Sequence, residues 1–526
     1  MSETKGKKFL VIVFIYVLLI TTGGLAWKFI FSPRRQKKIL DETKSPSLYK
    51  HNLNLALDSF SGYAILRSAE FHNGLKSQGI RMTLKDDQAD YKTRLAALRD
   101  GENQMAVFTV DSLIKMSAEM GEFPATIVLM IDESRGADAI IAYKNAVATL
   151  QDLDSPQAKF VLTPNSPSEF LARIVIADLN LASLPAKWWK EAGGALEVRK
   201  QFLTADKKEK AAYVLWEPAL SMALEEEGTH ILLDSSNLKG YILDVLVVQR
   251  EYLLNQPAVV KNVVASYLRT AYYYNSLEKG MENLVLEDSR GKDMQPLNLS
   301  QAKKMVDGIL WKNTMENYAH FGLLSAPETQ GLNHIEDIIN KITQVLIVTR
   351  GLDKDPFQGD PGILFYNRIL KELQSEDFHP GKRLNLIQGQ QTGAIDPGKI
   401  RGEKDLPPLT EEQWTRLREI GEMRMEPISF GRGADSINMQ SRRDLDDLVV
   451  RLASWPRAYL RVIGHARAEG DPAANKVLAY KRADAVREYL LSRGISKNRI
   501  RVEAAEPIAK GGGEQSVTFV LGSVPY

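Results

Sequence analysis

Cysteine is absent from all 526 residues. That excludes disulfide staples, thiol catalysis and zinc ribbons, and it also excludes a lipid-modified N-terminal cysteine. Any attachment to a membrane must therefore be made by the polypeptide itself. A chain without thiols also suits an oxidising compartment, where nothing can mispair. Histidine is scarce: seven occur, at 51, 72, 230, 320, 334, 379 and 465, and none has metal-ligand spacing. Neither sign of charge dominates, with 68 basic against 66 acidic residues and a net charge of +2. That balance gives no ground for a nucleic-acid partner, which would leave a clustered basic footprint. There is no G-x-S-x-G elbow, P-loop or dinucleotide fingerprint. Neither an enzyme nor a cofactor or metal is expected.

The length is too great for one core, and about three or four structural units are the prior. The first is an apolar run at residues 9–31, interrupted only by Thr21-Thr22-Gly23-Gly24 and by Lys28. A helix of that length covers the ~30 Å hydrocarbon core of a bilayer. Lys28 can snorkel and Trp27 can anchor at the interface. The run exceeds the usual h-region of a cleaved signal peptide, of ~7–15 residues, and no clear A-x-A site follows it. An uncleaved signal anchor is the preferred reading. Lys5, Lys7 and Lys8 face Arg34, Arg35, Lys37 and Lys38 across the run, so charge alone does not set the orientation.

From residue 51 onward strand and helix patterns alternate. Leu53, Leu55 and Leu57 alternate with Asn52, Asn54 and Ala56. Further strand-like runs fall at 105–110, 126–131, 139–143, 159–162 and 213–215, with helical patterns at 91–98 and 166–179. Such alternation argues for an α/β module with a largely parallel sheet. Ser166-Pro167-Ser168-Glu169 is a helix start, with Ser166 as N-cap and Pro167 at the first helical position. Asp132 and Asp138 read as strand-end or hinge hydrogen-bonding residues rather than ligand contacts.

Four motifs in order resemble periplasmic substrate-binding proteins of the aliphatic sulfonate, nitrate and thiamine-precursor group. They are Asp132 to Ile140, Trp216-Glu217-Pro218, Tyr241 to Val248 and Trp311 to Phe321. The resemblance implies two α/β lobes closing on a small molecule over residues 51–378, and an ABC permease as partner. Ligands in open α/β sheets sit beyond the carboxyl ends of strands, and helix N-termini there suit an anion. The residues that fall on those loops are Ser59, Ser61, Gly62, Tyr63, Asp111, Ser112, Ser134, Gly136, Asn165, Ser166 and Ser168, with Trp216 and Glu217 opposite. Hydroxyls and carboxylates are mixed among them, so the ligand's charge stays open.

Residues 379–409 turn polar and rich in Gly, Gln and Pro, the composition of a linker. Thr410-Glu411-Glu412-Gln413 then opens a capped helix. Beyond it the patterns give β-α-β-α-β-β: a strand at Ile428 and Phe430, a stripe of Leu445, Leu448, Val449 and Leu452, and a strand at 459–463. A helix at 475–492, a strand at 500–504 and a last strand at Val517, Phe519 and Leu521 complete it. Val462-Ile463-Gly464-His465, Gly470, Asn475, Leu478, Arg482-Ala483, Val486 and Leu490 resemble the OmpA-like domain. The family grips the diaminopimelate of peptidoglycan with an Asp and an Arg. Arg482 falls on the Arg position, where a guanidinium can fork to a carboxylate. Arg467 and Ala466 stand where the family has Asp and Thr, and Gly513-Glu514-Gln515 replaces the expected N-R-R. A cation at Arg467 would repel the ammonium that the acid should receive. The expected site is His465, Arg467, Asn475 and Arg482.

The organisation expected is thus α/β: a tail at 1–8, a membrane helix at 9–31, the two-lobed module at 51–378, the linker at 379–409 and a small α+β module at 410–526. The function expected is a single-pass inner-membrane solute receptor with its bulk in the periplasm, whose C-terminal module contacts peptidoglycan or an envelope protein. The rival is a scaffold in which both modules serve as docking surfaces. A proton-driven stator is disfavoured, because the run at 9–31 holds no acidic residue.

Overall fold

The computed structural model describes residues 49–290, 297–325, 328–329, 331–381, 398–401, 405–431, 433–465, 471–506 and 516–525. The apolar run at 9–31, most of the segment read as a linker, Ala466, Arg467 and Gly513-Glu514-Gln515 lie outside these residues. Among the described residues no helix is long and apolar enough to cross a membrane.

The first lobe is built on β1 (His51–Leu57), β2 (Ile80–Asp86), β3 (Met105–Thr109) and β4 (Ala125–Ser134). The second lobe holds β5 (Asp138–Tyr143), β6 (Lys159–Leu162), β7 (Trp189–Glu191), β8 (Ala211–Trp216) and β9 (Thr229–Asp234). The chain then returns to the first with β10 (Leu243–Gln249) and β11 (Ile309–Trp311). The two sheets run β11-β4-β10-β3-β1-β2 and β7-β6-β8-β5-β9.

Neither sheet is largely parallel, which corrects the expectation from alternation. β1 and β3 are parallel, but β10 runs antiparallel to both β3 and β4, and β11 antiparallel to β4. In the second sheet β6 is parallel to β7 and β8, while β5 is antiparallel to β8 and β9. The reason is the double crossing between lobes. A strand arriving from the other lobe enters its sheet from the opposite end and so opposes its neighbours, whatever its sequence pattern.

The crossings are tightly stitched. Ser134 Oγ and Ser235 Oγ are 2.7 Å apart, and the Gly136 amide donates to Ser235 Oγ at 2.7 Å. Gly136 has φ +135°, and a β-carbon on nearby Gly308 would stand 3.0 Å from the Ala137 nitrogen. A β-carbon there would crowd that backbone, which glycine avoids.

The C-terminal sheet comprises β12 (Arg418–Glu422), β13 (Ile428–Ser429), β14 (Tyr459–Gly464), β15 (Ile500–Ala504) and β16 (Ser516–Ser523). Its order is β12-β16-β14-β15, with β13 also on β16. Helices Met439–Leu452 and Pro472–Ser492 accompany it. The first is capped by Asn438, which accepts from the Ser441 amide, and buries Leu445, Leu448 and Leu452. β12 was not expected. Its sequence, Arg-Glu-Ile-Gly-Glu, has no alternation, and pairing to β16 makes it a strand.

This module is bolted to the second lobe. Asp178, closing helix Pro167–Asp178, accepts from Arg451 Nε at 3.2 Å and from the indole of fully buried Trp455 at 2.8 Å. The Asp178 carbonyl takes the Arg424 amide at 2.7 Å and Arg451 Nη2 at 2.9 Å. The Asn180 amide donates to Glu422 O, and the Lys239 amide to Ser454 O, each at 2.9 Å. The second half of the segment read as a linker is pinned at two described points. Arg401 is bidentate to Glu316, at 2.8 and 2.6 Å, and the Tyr459 hydroxyl donates to Pro407 O at 3.0 Å. Anchors of this kind use single polar groups and leave no periodic trace in the sequence.

Candidate functional site

Between the lobes a small cavity is lined from the first lobe by Asp58, Phe60, Tyr63, Tyr91, Ile242 and Asp244, and from the second by Asp138, Pro167 and Trp216. Each element delivers its side chain for a local reason. β1 ends at Asp58, which accepts the Phe60 amide at 2.9 Å and so turns the chain. Asp244 sits within β10, paired in register with Thr109 of β3 and Asp132 of β4, and accepts from the Tyr63 hydroxyl. Asp138 opens β5 directly opposite Trp216, the last residue of β8. The cavity leaves about 10 Å³ free, the room of a single water-sized group.

The electrostatics of this place are unusual. Asp58 is met by Arg94 at 3.0 Å, and Arg94 is fully buried with Asp87 at 2.7 Å and the Val107 carbonyl at 2.6 Å as its other acceptors. Asp138 and Asp244 have no such cation. No Lys or Arg side chain lines the cavity among the described residues. Burial pushes Asp138 up to about 7. Burial pushes Asp132 up to about 8, and it raises Asp244 well above the carboxylate range, with the Asp132 charge adding to it. Both Asp132 oxygens and Asp138 Oδ1 are buried without a hydrogen-bond partner. These carboxyls hold protons near neutrality because a carboxylate there would be desolvated among like charges.

The lobes are latched beside the cavity. Lys115 of helix Val110–Met120 bridges to Glu169 of helix Pro167–Asp178 at 2.7 and 2.9 Å, with both side chains mostly buried. Glu169 also takes Arg173 Nε at 2.7 Å and the Asn165 amide at 2.6 Å. Those cations hold it below the usual range against the opposing effect of burial.

Of the thirteen residues singled out for the ligand, Tyr63 and Trp216 line the cavity. Asn165 lines a separate opening between the lobes with Tyr91 and Lys92, and the rest are placed in the scaffold. Ser59 follows Asp58 in the turn. Ser61 Oγ lies 3.7 Å from Met305 sulfur, and the Gly62 carbonyl accepts the Trp311 indole at 2.8 Å. Ser112 Oγ pairs with Thr109 Oγ1 at 2.7 Å. Neighbouring Asp111 is pushed up to about 7 by burial. Ser134 and Gly136 stitch the crossing, and Asn165, at φ +58°, feeds its amide to Glu169. Ser166 caps its helix, accepting the Ser168 amide at 3.2 Å and donating to Thr163 O at 2.6 Å. Ser168 donates to Val214 O at 3.2 Å. Glu217 is buried and turned onto Ser221, accepting its amide at 3.0 Å and its hydroxyl at 2.7 Å. Helix caps and turns carry the same residue types as ligand loops, so type and position alone did not separate them.

The residues missed were Asp58, Phe60, Tyr91, Pro167, Ile242 and Asp244, together with Asp138, which had been read as a hinge residue. One signal was available. Asp244 interrupts the run Leu243-Asp-Val-Leu-Val-Val248, and a carboxylate inside a buried strand costs energy unless it has a task. Asp132 lies near the end of β4, buried beside Asp244 of β10.

In the C-terminal module, His465 Nε2 and Thr518 Oγ1 are 2.8 Å apart, and Asn475 lies in the first turn of helix Pro472–Ser492. Arg482 is buried. It donates to Ala434 O at 2.8 Å and Gly431 O at 2.9 Å, and stands 5.3 Å from the Phe430 ring centre. Two donors of the guanidinium expected to grip a carboxylate are therefore committed to the module's own backbone. Arg467 lies outside the described residues.

Residues 429–516 match the OmpA family. A curated relative, a peptidoglycan-associated lipoprotein of Rhizobium meliloti (strain 1021), is 36% identical over 74 residues, or 14% of this chain. The chain spans 42% of that relative's length. Among solved structures, the periplasmic aliphatic sulphonate binding protein of Escherichia coli is 16% identical, with 61% of this chain and 99% of that chain covered and a TM-score of 0.44. The alkanesulfonate-binding protein of Xanthomonas axonopodis pv. citri, bound to MOPS, is 15% identical over 58% of this chain and 96% of that one, with a TM-score of 0.44. A Candida albicans protein described as having the generic periplasmic binding protein fold is 13% identical over 62% of this chain and 95% of its own, with a TM-score of 0.45. The chain thus carries, after two α/β lobes joined by a double crossing, a C-terminal segment at residues 429–516 that matches the OmpA family.

Proposed function

We propose that this chain is an extracytoplasmic solute-binding protein, held in the inner membrane by residues 9–31 and carrying an OmpA-type cell-envelope module. One observation carries the reading: two lobes joined by a double crossing bring buried polar and aromatic side chains to one cavity and are latched beside it by Lys115 and Glu169. The apolar run supports the anchor, and the two module types support placing the bulk of the chain in the periplasm. An ABC permease is the partner suggested by the sulfonate-binding proteins. Peptidoglycan is the one suggested by the lipoprotein relative. The reading assigns the chain no catalytic step.

Thermal denaturation of the full chain in detergent against a panel of small amines, anions, sulfonates and pyrimidines tests it. A ligand specific for the native form at a hundredfold excess over its Kd stabilises by about 2.7 kcal/mol. The melting temperature should rise for one class. No shift across the panel, from folded protein free of carried-over ligand, would remove the receptor reading.

A second reading, an envelope scaffold, is favoured by the way the C-terminal domain is fastened to the second lobe and by the inward commitment of Arg482. Co-sedimentation with isolated peptidoglycan sacculi separates the two uses of that domain. Retention in the pellet supports wall binding, and its absence supports protein docking.

A further inference from the structure

We propose that the cleft takes a cation, a primary ammonium group, rather than the anion its helix N-termini would suit; this rests on the solute-binding reading above. Asp138 and Asp244 reach the cavity from opposite lobes, and Asp58 joins them from the turn after β1. Asp138 is 2% exposed and lines the cavity, and its Oδ1 has no hydrogen-bond partner. A buried acceptor left unmet costs free energy, and a donor arriving there relieves that cost.

The rest of the lining fits the same occupant. Phe60, Tyr63 and Trp216 supply aromatic surface, and a cation near such faces gains from their quadrupoles; the Tyr91 ring already has Arg94 4.7 Å from its centre. Arg94, a buried guanidinium, is shared between Asp58 and Asp87 and is not among the lining residues. An ammonium entering there replaces the protons that Asp138 and Asp244 carry, whereas a sulfonate or carboxylate finds no Lys or Arg lining the cavity among the described residues. Helix N-termini do not reverse this balance, because Ser166 Oγ already accepts the Ser168 amide and Glu169 Oε2 the Asn165 amide.

The test is isothermal titration of the full chain in detergent with two probes of similar shape and opposite charge, ethylammonium chloride and sodium ethanesulfonate. Ammonium chloride is a third probe and potassium chloride the salt control. Binding of ethylammonium or ammonium, weakened tenfold or more by Asp138→Asn and by Asp244→Asn, supports the proposal. Both variants keep the side-chain size, and an unchanged circular-dichroism spectrum with a single cooperative melt establishes that they are folded. Binding of ethanesulfonate without the amines overturns the charge assignment while leaving the solute-binding reading standing. Binding of none of the probes, together with no shift in the wider thermal panel, overturns both. Amine binding indifferent to both variants places the amine elsewhere and overturns the assignment to this cleft.

Discussion

Replacing Asp178 by alanine should release the C-terminal domain from the second lobe. The side chain is 5% exposed and takes two donors, Arg451 Nε and the Trp455 indole. Trp455 is fully buried, so its N–H would be left without an acceptor, at a cost of about 1–3 kcal/mol. Arg451 is 26% exposed and keeps the Arg424 and Asp178 carbonyls, which places the ion-pair loss at the lower end of the ~3–5 kcal/mol seen when one partner of a buried pair is removed. A junction weakened by about 3 kcal/mol opens roughly a hundredfold more often. Native-state hydrogen exchange reads this at three amides that cross the junction: Asn180 to Glu422 O, Lys239 to Ser454 O and Arg424 to Asp178 O. Their protection should fall by about that factor while amides between β14 and β16 hold. Unchanged protection at the three, or an equal loss throughout the molecule, would refute the account of the junction. Asp178→Asn, which keeps one acceptor, should fall between.

Three further outcomes follow from the geometry. Asp132 and Asp138 have folded pKa values raised by burial to about 8 and about 7. Their contribution to stability is therefore full below the ordinary carboxylate range and is lost as pH rises through 7 to 8. Between pH 5 and 7 each such group should lower unfolding stability by about 1.4 kcal/mol per pH unit. Asp138→Asn should flatten the pH dependence of the melting temperature, and an unchanged slope would count against the protonated state. Gly464→Ala should prevent the C-terminal domain from folding, since a β-carbon there would stand 2.0 Å from the Ala479 carbonyl oxygen; a normal circular-dichroism melt of that domain would contradict it. Arg482→Ala should destabilise the same domain by about 2–3 kcal/mol through loss of two charge-assisted bonds, seen as a lower melting temperature without any ligand. A variant that melts normally and only loses sacculus binding would return Arg482 to the ligand.

The sequence was legible where a signal is local. Lys159–Leu162 is a strand as its apolar run implied, and Pro167–Asp178 begins where Ser166 caps it. The stripe of Leu445, Leu448 and Leu452 packs as one helix face. Illegible elements lacked a pattern of their own: Trp189–Glu191 is three residues long, and Arg418–Glu422 has a single large apolar side chain. Each is a strand because a neighbour presents open hydrogen bonds, on β6 and β16 respectively. The cleft was legible only in part. Loop hydroxyls at strand ends looked like ligand groups, yet Ser134, Ser166 and Ser168 bond the scaffold.

By itself the sequence determined the exclusion of thiol chemistry, the alternating α/β character, the apolar N-terminal run and the spacing that matches the OmpA family, because each depends on residues close together or on simple composition. Only the tertiary structure decided that both sheets are mixed, that the C-terminal domain is fastened through Asp178, and that Asp138 and Asp244 share one cavity. Those residues are separated by long stretches of chain, and burial among like charges is what sets their protonation. Distance through space and exclusion of water are properties of the folded packing, and no linear pattern encodes them.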